Sequence, residues 1–296
     1  MKHEFVPASA DSRLDHVGSY RRRLPVSLDR MYENALDWQH LPYLHSSSFG
    51  SIDCESAGAW GWRAKITADN PEDNTGDSAG GSAGDRNENG QSSTLELRLD
   101  REARRWITRN LAGPNGGAEI WTHVFVVAER TLDIVVDFFV PDVPAQARDK
   151  VGMAYAKAYD LLYDEDVQMM TERQRQLDQR LDGVDEDEVC PLGRARDLQL
   201  PVQVTMSGRN FVVNTVVEDT AAATMGNWVV YPAQCPHQLG PLHAEPLIAG
   251  TVRCPWHGYV FDVETGNCVS GSQCRLGRVP LVIHDGEDIE LRWQRA

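Results

Sequence analysis

The alternation of apolar and polar positions divides the chain into a helical start, a run of strands, a long helix and a second run of short strands. Just after Ser27, apolar residues recur at the spacing of one helix face. Ser27 can cap this helix, which we predict over residues 27–45. Because proline disrupts a helix interior, Pro42 should end or kink the helix near Leu41.

The first half of the chain continues with patterns that predict strands. These cover residues 59–66, 94–99, 105–110, 119–129 and 132–140. The stretch 69–93 is dense in Gly, Ser, Asn and Asp and predicts a loop, whereas 151–181 has the pattern of a long helix. A helix, an antiparallel sheet and a long final helix make an α+β arrangement.

The second half reads as an all-β domain. Short strands are predicted at residues 202–206, 210–216, 228–231, 251–253, 260–261 and 290–293. The acidic stretch 182–188 contains Gly183 and has the composition of a linker. We therefore predict two domains, residues 1–185 and residues 186–296.

Charge and composition narrow the classes of partner and compartment. Lys and Arg number 29 against 44 Asp and Glu, a net charge of −15, which disfavours nucleic acids and anionic membranes as partners. No apolar run reaches membrane-spanning length, and the start has no apolar signal core. A reducing cytoplasm is predicted because four cysteines show no obvious pairing. These are Cys54, Cys190, Cys268 and Cys274.

Two short motifs can hold a metal centre: Cys235-x-His237 and Cys254-x-x-His257. Zinc accepts such mixed sulfur and nitrogen ligands and remains an alternative. Because each motif supplies one ligand of each kind, the pairing favours a Rieske [2Fe–2S] cluster, in which two thiolates bind one iron and two imidazoles the other. We assign Cys235 and Cys254 to the first iron, and His237 and His257 to the second.

The surrounding residues carry a family resemblance. The runs 235–242 and 254–262 closely resemble Rieske ferredoxins and the Rieske domains of ring-hydroxylating oxygenases. Gly240 and Gly258 would let the backbone pass close to a cluster. The respiratory Rieske proteins have a disulfide between these loops, and no cysteines for one occur at the corresponding positions here.

A second constellation follows the first helix, in the order Asp37-x-x-His40-x-x-x-x-His45. Two His and one carboxylate form the ligand set of non-haem iron(II) oxygenases, and a bend at Pro42 could turn both imidazoles toward one point. Two nearby His alone are more often ordinary residues. Beside a Rieske motif, however, this stretch resembles the start of the catalytic domain of Rieske oxygenases. The resemblance implies His40 and His45 as iron ligands, and Asp37 as the carboxylate that links the iron site to a Rieske histidine.

The third iron ligand should be a carboxylate on the long helix. Four acids compete for this role: Asp160, Asp164, Glu165 and Asp166. Asp166 shares a helix face with an apolar stripe that includes Tyr159 and Met170, Asp164 lies on a solvated face, and Glu165 lies between them. The family pattern of an acid before the ligand Asp also matches Glu165-Asp166. We therefore assign Asp166.

The resemblance implies a Rieske-type non-haem iron oxygenase. A helix-grip (START-like) catalytic domain would hold mononuclear Fe(II), and a C-terminal all-β domain would hold the Rieske [2Fe–2S] cluster. The implied partners are a small organic substrate, O₂ and an NAD(P)H-dependent reductase or a ferredoxin, with a possible homotrimer. Aromatic residues on the predicted strands either line the pocket or fill the core: Trp60, Trp62, Trp106, Trp121 and Phe125.

Three departures from the family keep other hypotheses open. The domain order is swapped, the catalytic portion is short, and the Rieske loops look more like those of free ferredoxins. The chain could instead be a Rieske electron carrier fused to a ligand-binding module without iron. A zinc-bound structural module is a third alternative.

Overall fold

The computed structural model describes residues 13–67, 92–113, 116–179, 183–216 and 227–294. Residues 69–91 of the predicted loop and residue 182 of the predicted linker lie outside these ranges. The chain divides into two compact units, Met1–Thr171 and Glu172–Ala296. The domain boundary placed between residues 185 and 186 stays a prediction.

The first unit contains a seven-stranded antiparallel sheet with the order β1-β7-β6-β5-β4-β3-β2. Its strands are β1 Leu14–Leu24, β2 Ile52–Gly58, β3 Gly61–Thr67, β4 Ser92–Asp100, β5 Arg105–Ala112, β6 Glu119–Ala128 and β7 Thr131–Pro141. The pattern of apolar positions predicted neither β1 nor β2. Both are edge strands on which most residues are only partly buried or exposed, so neither carries a clear apolar alternation.

The segment that carries both predicted iron-binding histidines is broken at a different residue from the one predicted. Helix α1 spans Leu28–Leu36 with Ser27 as its N-cap, a 3₁₀ helix follows at Trp38–His40, and α2 spans Leu41–Leu44. The break falls at Asp37, whose side chain accepts a hydrogen bond from the Gln39 N–H at 3.2 Å. Pro42 lies in the first turn of α2, where its missing N–H costs nothing. The regular helix therefore ends at Leu36, earlier than the end or kink predicted near Leu41.

Helix α3, Arg148–Asp178, begins in the first unit and packs on β1 through two glycines. A Cβ on Gly152 would lie 2.1 Å from the Val17 carbonyl oxygen, and one on Gly18 would lie 3.2 Å from the Gly152 Cα. This close approach brings α3 onto the sheet, and their facing side chains form the core of the unit. An antiparallel sheet packed against a long helix is the helix-grip arrangement predicted.

The second unit contains small antiparallel sheets. Its strands are β8 Val189–Arg194, β9 Val202–Met206, β10 Arg209–Val216, β11 Asn227–Pro232, β12 Thr251–Arg253, β13 Val260–Asp262, β14 Leu281–Asp285 and β15 Asp288–Arg292. They pair in the orders β11-β10-β9, β12-β13 and β14-β15-β8. The structure confirms the predicted α+β class, while the largely exposed β8 and β14 were not predicted.

Candidate metal centres

The first of the two Cys–His loops follows β11. The Cys235 N–H donates to the Gly240 carbonyl at 2.8 Å, and the Leu239 N–H donates to the Cys235 carbonyl at 2.9 Å. Leu239 adopts a left-handed φ of 67° to close this turn. The loop thus folds back on its own cysteine through backbone hydrogen bonds.

The second loop, between β12 and β13, repeats this pattern. The Cys254 N–H donates to the Tyr259 carbonyl at 2.7 Å, and the Gly258 N–H donates to the Cys254 carbonyl at 2.9 Å. Gly258 has a φ of 66°, matching that of Leu239. In both loops the bonds join the cysteine to the residues four and five positions later, so the two motifs form a structurally equivalent pair.

The four side chains form two pairs, thiol beside thiol and imidazole beside imidazole. Cys235, Cys254 and His257 are buried, and the rings of His237 and His257 lie 4.5 Å apart, nearly perpendicular. A hydrogen bond shared by the two thiols raises the pKa of Cys235 and lowers the pKa of Cys254 to about 5. Two thiols on one side and two imidazoles on the other are the donor set that a [2Fe–2S] cluster of Rieske type requires.

Gly240 explains how the first loop approaches the second so closely. A Cβ on Gly240 would lie 2.8 Å from the Cys254 Sγ and 3.0 Å from the Trp256 ring. Only glycine leaves this space beside the cysteine sulfur. The residues present therefore fit a cluster held between the two loops.

The structure brings the three predicted iron ligands together in the first unit. His40 ends the 3₁₀ helix, His45 follows α2 and Asp166 lies on α3, and all three are buried. The Asp166 Oδ1 lies 3.1 Å from the His45 Nε2 and 3.5 Å from the His40 Nε2. One donor atom from each residue lies within 4.8 Å of the others, a spacing that can hold a metal ion. We call His40, His45 and Asp166 the histidine–aspartate site.

Carboxylates face the opposite nitrogens of both histidines. The His45 Nδ1 lies 2.6 Å from the Glu165 Oε2, and the His40 Nδ1 lies 3.7 Å from the Asp37 Oδ2. Each ring therefore turns its Nε2 toward Asp166 and its Nδ1 toward another acid, as metal-binding histidines usually do. Glu165 is predicted from the sequence only as a competing ligand, although its position next to Asp166 is a signal for this role.

Asn34 is a second residue beside the site for which no role is predicted from the sequence. Its Nδ2 donates to the Asp166 Oδ1 at 2.9 Å. It lies one helical turn before Asp37, and that spacing is the signal that could have placed it beside the site. Asn34 holds the carboxylate in the orientation that faces the two histidines.

Burial and charge act against each other at this site. Burial opposes the protonation of His40, but the carboxylates of Asp166 and Asp37 outweigh it and raise the pKa of His40 to about 9. Burial also favours the neutral form of Asp166, yet hydrogen bonds from His40 and His45 hold its pKa below the ordinary range. The site is thus built to keep a buried carboxylate ionised.

The other two competing acids, Asp160 and Asp164, lie away from the histidines. The Asp164 Oδ1 lies 2.6 Å from the Arg22 Nη2, and its side chain is 54% exposed. Asp160 accepts a hydrogen bond from the Tyr20 hydroxyl at 2.8 Å, also at the surface. Both acids pair with β1 rather than with the histidines.

A cavity of about 290 Å³ opens beside the histidine–aspartate site within the first unit. Its walls are mostly apolar and include Leu95, Leu97, Trp62, Trp106, Ile120 and Tyr155. Thr108, Asn110 and Thr122 add the few polar groups away from the site. An apolar cavity with a few polar groups is typical of a site for a small organic molecule.

Two of the five aromatic candidates, Trp62 and Trp106, line this cavity. Trp60 lies in the turn between β2 and β3. The Arg98 guanidinium carbon lies 5.6 Å from the centre of the Trp60 ring. The Arg105 guanidinium lies over Trp121 at 5.1 Å, and Phe125 is exposed. The last three neither line the cavity nor belong to the buried core.

Comparison with known proteins identifies one part of the chain. Residues 188–280 match the family model of the Rieske [2Fe-2S] domain. The match contains both Cys–His loops, so the second half of the chain carries a Rieske domain. No curated protein matches the chain well enough to count as a relative.

Solved structures resemble separate parts of the fold. The Zhui aromatase/cyclase of a Streptomyces species matches at 13% identity and a TM-score of 0.39, over 55% of this chain and 98% of its own. The ferredoxin of carbazole 1,9a-dioxygenase from Nocardioides aromaticivorans matches at 22% identity and a TM-score of 0.28. The match covers 36% of this chain and 99% of the ferredoxin. The quaternary ammonium Rieske monooxygenase CntA matches at 12% identity and a TM-score of 0.38. The match covers 57% of this chain and 41% of the CntA chain. Likenesses this distant say nothing about activity.

Along the parts of the chain that the structure describes, no helix is both long enough and apolar enough to cross a bilayer.

Proposed function

We propose that the chain is a Rieske-type non-haem iron oxygenase that hydroxylates, demethylates or desaturates a small organic substrate. The observation that carries the proposal is the buried histidine–aspartate site, whose three donor atoms lie within 4.8 Å of one another beside an apolar cavity. The same chain carries a Rieske domain. Neither feature alone would support an oxygenase as strongly as the two together.

The ligand types suit this chemistry. Two imidazoles and one carboxylate occupy one face of a metal ion and leave positions open. When bound there, iron(II) supplies O₂ activation, with a Rieske cluster as the source of single electrons. Glu165 faces the His45 Nδ1 and keeps its Nε2 directed at the site, and Asp37 lies on the corresponding side of His40. The 2.6 Å contact orients the His45 ring, whereas Asp37 acts on His40 from 3.7 Å through its charge.

The cavity residues would place the substrate. Apolar walls such as Trp62 and Trp106 bury an organic molecule and exclude water, while Thr108 and Asn110 offer hydrogen bonds that can orient it. Asp37 is assigned the carboxylate role that links the iron site to a Rieske histidine, on the basis of the family resemblance. Its side chain is 7% exposed, so a charge there is held close to His40.

One observation favours the alternative, a Rieske electron carrier fused to a non-catalytic START-like module. The Asp166 Oδ1 already lies within hydrogen-bonding distance of the Asn34 Nδ2 and the His45 Nε2. A buried polar network whose members satisfy one another can be purely structural. Counting metal ions separates the two functions.

The test is iron and sulfide analysis of the purified chain. We expect about three irons and two sulfides per chain, one iron beyond the cluster. Replacing His40 and His45 by Ala should lower this to about two irons while the Rieske spectrum stays. The control replaces His16 and His123 by Ala, a pair in the same unit that lies 3.2 and 3.8 Å from Asp137.

Each outcome of this test has one meaning. Two irons in the wild type, unchanged by the His40 and His45 replacements, would favour the electron carrier. A colourless protein that contains zinc would favour the structural module. Three irons that fall to two only in the His40 and His45 variant would support the oxygenase.

The partners and the cellular location belong to the same proposal. An NAD(P)H-dependent reductase or a ferredoxin would supply electrons, and a homotrimer and a cytoplasmic location stay predictions. With a reductase present, consumption of O₂ should depend on an organic substrate and disappear in the His40 and His45 variant. Sedimentation of the purified chain would test for the trimer.

A further inference from the structure

Two cysteines outside both metal centres occupy opposed positions in a small turn of the second unit. Asn267 and Arg275 form an isolated antiparallel bridge, and the Leu276 N–H donates to the Gly266 carbonyl at 2.8 Å. The next pair of residues inside this bridge is Cys268 and Cys274. Five residues, 269–273, connect them.

The spacing of such a pair is close to that of a disulfide. Directly opposed residues on antiparallel strands have Cβ atoms about 4.5–5.5 Å apart. A disulfide requires about 3.5–4.5 Å, so closing the bond asks for a movement of about 1 Å. Both residues are partly exposed free thiols, which a small reagent can reach.

The two thiols differ in their surroundings. The Cys268 Sγ lies 3.3 Å from the Ser270 Oγ. Burial raises the pKa of Cys268, but bonds from the Ser270 hydroxyl and from the backbone N–H groups of Ser270 and Ser272 outweigh it and lower that pKa. Cys268 therefore carries a larger thiolate fraction than an ordinary cysteine at the same pH.

The pair also lies beside a cluster loop. The Val269 N–H donates to the Val260 carbonyl at 2.8 Å, and the Val260 N–H donates to the Ser270 Oγ at 3.1 Å. Val260 begins β13, three residues after His257. A disulfide between the two cysteines would close the base of the turn, residues 269–273, that is hydrogen-bonded to this strand.

We propose that Cys268 and Cys274 form a redox-active dithiol that exchanges with low-molecular-weight disulfides. The Cys268 thiolate attacks one sulfur of the small disulfide, whose S–S bond breaks and releases one small thiolate. The Cys274 thiolate then attacks the Cys268 sulfur, which forms the protein disulfide and releases the second small thiolate. The two cysteine protons end on the released thiols, so one small disulfide is reduced for each protein disulfide formed.

The test uses the full, cluster-loaded chain in mixtures of reduced and oxidised glutathione. Free thiols are then alkylated, and the digested peptides are weighed with and without reduction. We expect the peptide that carries both cysteines to escape alkylation and to lose two hydrogen masses, reversibly. The Rieske spectrum, recorded throughout, reports on the cluster cysteines.

Single replacements separate the two roles. Cys274→Ser should trap glutathione on Cys268 as a mixed disulfide, whereas Cys268→Ser should lose both the protein disulfide and rapid glutathione uptake. Cys54→Ser and Cys190→Ser are the controls and should leave the disulfide unchanged. Full alkylation of both cysteines at every glutathione ratio, or a bond from either to Cys54 or Cys190, would overturn the proposal.

Discussion

The two candidate metal centres differ in how far apart in sequence their ligands lie. All four predicted cluster ligands fall within residues 235–257, on two loops with the same backbone hydrogen bonds. In the histidine–aspartate site, His45 and its partner Asp166 are 121 residues apart. One centre is shaped by its own loops, and the other depends on the packing of a helix against a sheet.

This difference has consequences for how each site responds to change. Each Rieske cysteine is held by a bond from its own N–H and another to its own carbonyl, so the loop shape belongs to the local sequence. The position of Asp166 instead depends on α3, which reaches the sheet through the contact of Gly18 with Gly152.

Cys254→Ser should abolish the cluster. The hydrogen bond shared with Cys235 lowers the pKa of Cys254, which favours the thiolate that binds iron, whereas a serine hydroxyl stays protonated. We expect loss of the Rieske spectrum and of about two irons per chain, with the metal of the first unit retained. Cys190→Ser, at a partly buried cysteine of the same unit, is the control. A normal spectrum in Cys254→Ser would refute the ligand assignment.

Asp166→Ala should weaken metal binding in the first unit more than any neighbouring change. It removes the carboxylate that faces the His45 Nε2 and the Asn34 Nδ2. We expect the affinity for Fe(II) or Co(II) to fall by more than about 100-fold. This is a larger loss than is usual when a residue that only contacts a metal ligand is replaced. Asp164→Ala, two residues earlier and paired with Arg22, should have no effect. The reverse result would mean that the wrong face of α3 was assigned to the site.

Glu165 tests whether the site depends on its outer contacts. Glu165→Leu removes the acceptor 2.6 Å from the His45 Nδ1, so the ring can turn. We expect metal affinity to fall about 10- to 100-fold. Glu165→Gln keeps an oxygen that accepts from Nδ1 and should lose less. Titration with Co(II), followed by its absorption, measures both variants, and equal affinity of Glu165→Leu and the wild type would exclude the role.

The contrast between local and distant ligands also explains what could be predicted from sequence. The Cys–His loops could be recognised because spacing within one loop is a property of the sequence alone. The short strands β9 and β12 were predicted to the residue at 202–206 and 251–253. Asp166 could be chosen over Asp164 because the periodicity of a long helix separates a buried face from a solvated one.

Features that depend on packing were missed. The contact of Glu165 with His45 joins an α3 residue to one beyond α2, and no local pattern encodes it. The break at Asp37 depends on a side-chain bond to the backbone of Gln39, which competed with the expected effect of Pro42. The edge strands β1 and β2 lack an apolar alternation because so few of their residues are buried.

Gly240→Ala tests how closely the two Cys–His loops pack against each other. The added Cβ would lie 2.8 Å from the Cys254 Sγ, so one loop must shift. We expect a loss of about 1–3 kcal/mol in the free energy of unfolding and a lower cluster content. Gly277→Ala is the matched control, since no atom lies within 4 Å of its added Cβ. Equal stability of the two variants in chemical denaturation would show that the loops are not closely packed.

Glu96→Gln tests the sheet that backs the cavity. Glu96 on β4 is 3% exposed, and its carboxylate lies 2.5 Å from the Arg63 Nη2 and 2.6 Å from the Arg98 Nε. Arg98 lies on the same strand, whereas Arg63 on β3 is directly opposite Glu96, so the Arg63 contact depends on strand register. Burial favours the neutral acid, but bonds from Arg98 and Arg63 outweigh it and lower the pKa of Glu96 below its ordinary value of 4.5.

The sign of the pH effect follows from this shift. Because the folded pKa is lowered, the stabilisation is complete above the ordinary value of 4.5 and is lost as pH falls through the lowered pKa. At pH 7, Glu96→Gln should cost about 1 kcal/mol in unfolding free energy, and the gap to the wild type should close in acid. Urea denaturation of both proteins between neutral and acid pH measures this difference in unfolding free energy. A gap that stays constant across this range would mean that the charge of Glu96 does not support the register.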